Sequence, residues 1–243
     1  SGINSTIAKN IVKYRDENGK LKNREQLLKV PKLGKVAFEQ CAGFLRILDG
    51  DNPLEVTAVH PESYEATEKL LNTIGFNKED LKKLINLLPD YFFEIPASST
   101  GKYHPKFSTT KHGLLKHTKV AVRIAYELFN IEDRFNDEDK DLIIMALVLH
   151  DGCKLGLPKE EYTKVEHPLI VSKLIMEHHN ELQMDIIEVR KLCTMIEAHM
   201  GKWNKDYKGN EILPIPRNEI ERFVHKCDYL SSRKFLNIKF KNT

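Results

Sequence analysis

Cysteine is scarce in this chain. The 243 residues hold four, Cys41, Cys153, Cys193 and Cys227, and none stand in CxxC spacing. That argues against a disulfide framework or a thiolate zinc site and for reduced, buried thiols in a cytoplasmic protein. Long apolar runs are missing as well. The longest, Leu142 to Leu149, has eight residues and ends at His150, far short of the ~18 a membrane-spanning helix needs, so no membrane partner is expected. The start, Ser-Gly-Ile-Asn, has neither a basic segment nor an apolar one and lacks Met. The expectation is a fragment or processed chain without a secretory signal. An excess of charge of one sign is lacking too: 38 Lys and Arg against 35 Asp and Glu leave +3, which names no partner. The remaining balance, 41% apolar and 30% charged, excludes a disordered or collagen-like chain.

What is present is unevenly distributed. Residues 1–50 carry a net charge of +5 and residues 51–243 a net charge of −2, so two parts with different partners are expected. Of ten histidines, nine lie after residue 100.

In the basic part, Ile7, Ala8, Ile11 and Val12 predict a helix over Ser5 to Arg15, ended by Gly19. Asn23 and Gln26 predict a capping box for a short helix through Lys29. A tight turn over Val30 to Lys35 leads to a third helix with a Phe38, Cys41, Ala42 and Leu45 stripe. A helix–Gly turn–helix directs backbone N–H groups toward solvent, and Lys32 and Lys35 beside them suit a phosphate. Residues 1 to about 85, from GINSTIAKNIVKYRDENGKLKNREQLLKVPKLGKVAFEQCAGFLRI through DNPLEVTAVHPESYEATEKLL, resemble the tandem helix-hairpin-helix region of the Tex family of bacterial transcription accessory proteins. The sequence enters that pattern inside the first hairpin, and no S1 barrel follows. The resemblance implies weak, sequence-independent contact with a nucleic-acid backbone at Gly2, Lys32, Gly34 and Lys35.

Asp49 to Pro53 reads as a turn or linker. Helices are expected over 62–74 and from Lys78 to Leu88, where Pro89 stops the second. The division is therefore a hairpin module over 1–50, a helical connector over 51–86 and a second domain over 87–243, long enough for its own core.

That domain reads as helices. Leu114 to Phe129 holds His117. Asp139 to Asp151 is very apolar and closes on His150-Asp151. Pro168 to His178 follows His167, Asp185 to Ala198 precedes His199, and Asn218 to Leu236 holds Asp228. A polar pair closing an apolar helix is costly unless paired or bound to metal. Imidazoles and carboxylates suit a borderline divalent cation.

The order His117, His150-Asp151, Asp228, in GLLKHTKVAV, MALVLHDGCKLG and FVHKCDYLSSRKFL, resembles the HD phosphohydrolase superfamily over about residues 89–240. PASSTGKYHP, EHPL and HMGKW are most similar to HD proteins of phage and prophage type. The resemblance implies an all-α fold, a tandem helix-hairpin-helix module followed by an HD helical bundle. It implies one ion held by His117, His150, Asp151 and Asp228 and a second held by His167 and His199, with Asp151 between them. The ions are one or two divalent transition metals (Mn, Fe, Ni, Co or Zn), with Mg admissible. A water acidified by metal would attack the phosphoryl group, with Asp151 and Lys154 as catalytic residues.

The expected substrate is a nucleotide or related phosphate ester. Ser98, Ser99, Thr100, Lys102 and Tyr103 read as an active-site wall that can cradle phosphate, although the Walker A spacing is absent. Lys116 and Arg233 are further cations for it, and Trp203 a base-stacking surface. Two other readings stand beside this one: an HD-type nuclease with its polynucleotide on the hairpins, and a non-catalytic nucleotide sensor or adaptor. Oligomeric state stays open.

Overall fold

Asn4 opens the first helix by accepting the Ile7 N–H on its side chain at 2.9 Å, which satisfies one of the helix's orphan donors. The computed structural model of the chain describes residues 2–47, 50–52, 55, 61, 64, 78–98 and 100–237. Ser99 and, apart from Tyr64, the helix expected over 62–74 lie outside the described residues. Helix α1, Ser5–Asn18, runs three residues past the expected Arg15 and stops at Gly19, whose φ is +83°.

Asn23 accepts from the Gln26 N–H at 3.1 Å and caps a 3-10 turn over Arg24–Lys29. The reciprocal half of the expected capping box does not form, because the Gln26 side chain accepts from the Lys22 N–H instead, at 2.7 Å. The tighter 3-10 winding carries that side chain one residue further back. Helix α2, Lys35–Cys41, starts at Gly34 without a side-chain cap. Leu45 falls beyond it, after a 3-10 turn over Ala42–Phe44. Ile7, Leu27, Val30, Leu33, Phe38 and Ala42 form the core of this region. Beside that core Arg24 is fully buried, paired with Glu55 at 2.9 Å and donating to the Ala42 carbonyl at 2.8 Å.

The chain divides into two compact units, Ser1–Leu70 and Leu71–Thr243. Helix α3, Lys78–Leu87, falls in the second unit, whereas the sequence reading set the division near residue 87. Its Asp80 carboxylate is buried and accepts the N–H groups of Gln183 and Met184, each at 2.8 Å.

Five longer helices form the second unit: α4 Gly113–Phe129, α5 Asp137–Leu149, α6 His167–Glu177, α7 Ile186–Ala198 and α8 Glu219–Ser231. α5 is the axis. Every residue from Leu142 to Leu149 is buried, as a helix apolar on all sides must be, and α4, α7 and α8 pack on it. Asn136 caps it by accepting from the Asp139 N–H at 2.7 Å. Phe223 of α8 stacks on Phe129 of α4 at 5.2 Å and meets Phe135 edge-on at 4.9 Å.

α8 ends at Ser231 rather than at the expected Leu236. The hydroxyls of Ser231 and Ser232 bond back to the carbonyls of Asp228 and Tyr229, competing with the backbone ladder. A separate 3-10 turn covers Lys234–Asn237. The fold is all-α, with no strand among the described residues and one isolated bridge, Lys205 to Glu211. Among those residues no helix is long and apolar enough to cross a membrane.

Candidate metal centre

The fold delivers its histidines from helix ends. His150 caps the C-terminus of α5, His199 caps that of α7, and His167 is the first residue of α6. Each ring is fixed by the same local device. Its Nδ1 lies against the carbonyl three residues back: Leu147 for His150 at 2.6 Å, Lys164 for His167 at 2.6 Å and Ile196 for His199 at 2.7 Å. A carbonyl only accepts, so each Nδ1 carries a proton and each Nε2 is turned inward, free to ligate a cation when it is unprotonated. His117 of α4 reaches the same state through Ser231. The serine hydroxyl donates to the Asp228 carbonyl at 2.7 Å, so it accepts from His117 Nδ1 at 3.1 Å.

These Nε2 atoms gather around two carboxylates. His117 Nε2 lies 3.2 Å from His150 Nε2 and 3.0 Å from Asp228 Oδ1, and His150 Nε2 lies 3.5 Å from the same oxygen. Two ligands about 2.1 Å from one ion at roughly tetrahedral or right angles stand about 3.0–3.4 Å apart, so these spacings fit the edges of a coordination polyhedron. Asp151 divides its oxygens. Oδ2 faces His150 at 3.6 Å and His117 at 3.9 Å, and Oδ1 faces His167 at 2.9 Å and His199 at 3.8 Å. Two triads, His117–His150–Asp228 and His150–Asp151–His199, can each hold a metal ion.

Two observations test the fit. The Nε2 atoms of His117 and His150 cannot both keep lone pairs at 3.2 Å without a shared cation, a proton or a metal. His167 Nε2 is buried without a hydrogen-bond partner and faces Asp151 Oδ1, acceptor against acceptor. Both places call for a cation, and the donor set suits a divalent one.

Without a metal, protons on the same side chains supply the positive charge. Burial works against ionising Asp151, but the Lys154 ammonium, with His150 and His167 when their rings are cationic, outweighs it and holds the carboxyl well below its ordinary range. Asp228 is held low against burial in the same way by His117 and His150. Burial, reinforced by His150, pushes His199 down to about 3. Burial also lowers His150, but Asp151 and Asp228 prevail and raise it. The Lys154 ammonium pairs with Asp151 Oδ2 and its side chain is largely buried.

The remaining expected residues separate into four groups. The Arg233 guanidinium lies over the rings of both Tyr103 and Trp203. The hydroxyls of Ser98 and Thr100 are used on their own loop, accepting from the backbone N–H groups of Gly101 and Lys102, while the Lys102 ammonium lies over the Tyr103 ring. Lys116 is exposed and bonds to Thr110 at 3.4 Å, and no contact among the described residues joins it to the cluster. In the first unit Lys32, Gly34 and Lys35 are exposed at the start of α2, and Gly2 packs against Gln40.

Three residues escaped the sequence reading. His104 sets its ring 5.6 Å from that of His117. Burial, then the His117 and Lys154 charges, push it down to about 4, so it is neutral at neutral pH. Its signal was its place in KYHP. The Tyr91 hydroxyl donates to the Gly156 carbonyl at 2.7 Å and accepts from the Leu155 N–H, fixing the turn after Lys154. Ser231 sets the His117 tautomer. Nothing in the sequence marks these last two.

Residues 1–46 match the helix-hairpin-helix motif, residues 52–91 the HHH domain and residues 114–233 the HD domain. The chain carries an HD domain. That domain implies a divalent-metal site and metal-dependent phosphohydrolase chemistry in general, and the hairpin motifs suggest nucleic-acid binding. The N-terminal homologues are of the Tex kind. Protein YhgF of Escherichia coli is 59% identical over 71 residues, 29% of this chain and 9% of that protein. Protein tex of Bordetella pertussis is 53% identical over 85 residues, 35% of this chain and 10% of that protein. S1 RNA-binding domain-containing protein 1 of Homo sapiens is 30% identical over 139 residues, 35% of this chain and 14% of that protein. The chain thus spans about a tenth of the length of these relatives.

Proposed function

We propose that the HD domain hydrolyses a nucleotide or related phosphate ester at a divalent-metal centre. The observation that carries this reading is the convergence of four inward Nε2 atoms on two ionised carboxylates, with His167 Nε2 orphaned. His117, His150 and Asp228 would hold one ion and His167 and His199 a second, with Asp151 facing both. Bound there, the metal supplies a water acidified toward neutrality and polarises a phosphoryl oxygen. Lys154 keeps its ammonium on Asp151 and offsets charge that develops on the phosphoryl group. The four cysteines are unpaired and buried, which supports a reducing compartment, the cytoplasm.

The test is hydrolysis of a panel of nucleoside mono- and polyphosphates after loading with Mn²⁺, Fe²⁺ or Co²⁺. Turnover that is abolished in His150→Ala and Asp151→Ala supports the proposal. No turnover on any ester with every metal contradicts it, and saturable nucleotide binding without turnover favours the sensor or adaptor.

A second reading is a nuclease that holds its polynucleotide on the first unit. It is favoured by the exposed Lys32 and Lys35 beside the uncapped first turn of α2. Reversing both charges, Lys32→Glu and Lys35→Glu, separates the readings. A nuclease loses polynucleotide cleavage, whereas a nucleotidase keeps its rate on small substrates.

A further inference from the structure

Beside the His–Asp cluster stands a group of side chains that the hydrolytic chemistry does not use. The Arg233 guanidinium lies 4.0 Å from the centroid of the Tyr229 ring, 5.4 Å from that of Trp203 and 5.5 Å from that of Tyr103. The rings of Trp203 and Tyr229 are stacked, with centroids 5.7 Å apart and planes at 21°. Arg233 is held by its Nε, which donates to the Tyr229 carbonyl at 3.2 Å, and no carboxylate among the described residues pairs with it.

All three rings come from segments tied to the candidate metal centre. Tyr229 follows Asp228 and Trp203 lies four residues after His199. Tyr103 precedes His104, whose ring touches that of His117. The turn carrying Trp203 is built to reach α8. Gly201 sits at φ +57°, where a Cβ would come within 2.4 Å of the His225 ring, and that ring is fixed by a 2.6 Å bond from Nδ1 to the His199 carbonyl.

A purely structural aromatic cluster would bury its rings. These stay partly exposed, with Trp203 at 40%, Tyr103 at 52% and Tyr229 at 37% exposure. Exposed aromatic faces beside a planar guanidinium are what a flat, π-rich ligand stacks on.

We infer that Tyr103, Trp203, Tyr229 and Arg233 form a nucleobase subsite, so that this centre selects phosphate esters bearing a planar aromatic base over those that carry sugar and phosphate alone. The inference rests on the phosphohydrolase reading for its phosphate end, and its own observable is independent of turnover. The base stacks on the exposed parts of the Trp203 and Tyr103 rings, displacing the Lys202 or Lys102 ammonium that lies over them, and the ester's phosphate extends toward His117 and Asp228.

Trp203 is the only tryptophan in the chain, so intrinsic tryptophan fluorescence reports on this subsite alone. Adenosine and cytidine 5′-monophosphates are titrated into the full chain, with ribose 5-phosphate as the ester lacking a base. Saturable quenching by at least one nucleotide and none by ribose 5-phosphate supports the subsite. Tyr103→Ala or Arg233→Ala then weakens nucleotide binding by about 5- to 150-fold, the worth of one base stack. Unchanged emission with both nucleotides overturns the inference. If ribose 5-phosphate is hydrolysed as fast as the nucleotides at the same time, the phosphohydrolase reading survives that failure. Quenching without hydrolysis of any ester keeps the subsite and removes the proposed activity. Quenching by single-stranded oligonucleotides but by neither mononucleotide overturns the small-substrate subsite and favours the nuclease. Affinity unaffected by both substitutions also overturns it.

Discussion

The hydroxyl of Ser231 stands 3.1 Å from Nδ1 of His117, and its own proton is committed to the Asp228 carbonyl 2.7 Å away. One residue near the end of α8 therefore fixes the tautomer of a histidine on α4 and ties it to the turn of helix that presents Asp228. Outer hydrogen bonds of this kind are worth about 10- to 100-fold in metal affinity. Ser231→Ala is expected to weaken metal binding by about that factor while the fold persists, as read by chelator competition and circular dichroism. Unchanged affinity would mean that the His117 ring is oriented by packing alone.

Metal retention should depend on pH with a defined sign. The two buried carboxylates are held well below their ordinary values, and His199 is held down to about 3. None of these takes up a proton between neutrality and pH 5. His150 is raised, so a proton competes with metal for its Nε2. Affinity should fall as pH falls through the histidine range, because fewer chains keep the Nε2 lone pair. Equilibrium metal binding across pH 5 to 8 checks this, and an affinity flat over that window contradicts it.

Gly201→Ala places a methyl group against a ring that cannot retreat, at a backbone angle that L-residues avoid. Destabilisation by more than about 1 kcal/mol is expected, with a shift in tryptophan emission as Trp203 leaves Tyr229. Thermal melts and an emission spectrum test both. A stable variant with native emission would show that the turn does not set the position of Trp203.

In the first unit, Glu55→Gln removes the carboxylate that neutralises the fully buried Arg24. Breaking a buried pair from one side costs about 3–5 kcal/mol. Loss of hydrogen-exchange protection confined to α1 and α2 is expected, with HD-domain activity retained. Retained protection would show that the guanidinium is satisfied without Glu55.

Much of this was legible because the informative residues announce themselves locally. A continuous apolar run ending in His150-Asp151 reads as a buried helix with a polar terminus, and α5 is that helix. Asn23 reads as a cap and caps. The half-formed capping box and the early end of α8 were not legible. Both turn on side chains choosing a neighbouring backbone group, Gln26 on Lys22 and Ser231 on Asp228, and spacing does not encode that choice. The site divides in the same way. His117, His150, Asp151, His167, His199 and Asp228 come together, yet Lys116, one residue from His117, points elsewhere, to Thr110. Tyr91, His104 and Ser231 act across 13 to 114 residues of chain or through another side chain's proton, and only packing brings such groups into register.

The central claim is that the inward Nε2 atoms and two carboxylates hold a divalent ion that performs phosphoester hydrolysis. Elemental analysis of the purified chain after loading with Mn²⁺, Fe²⁺ or Co²⁺, paired with rates on nucleotide substrates, tests it most directly. The account predicts one to two equivalents of metal per chain, reduced in His150→Ala and Asp228→Ala, and turnover that disappears on chelation and returns with metal. No retained metal, with hydrolysis indifferent to chelator, would contradict it.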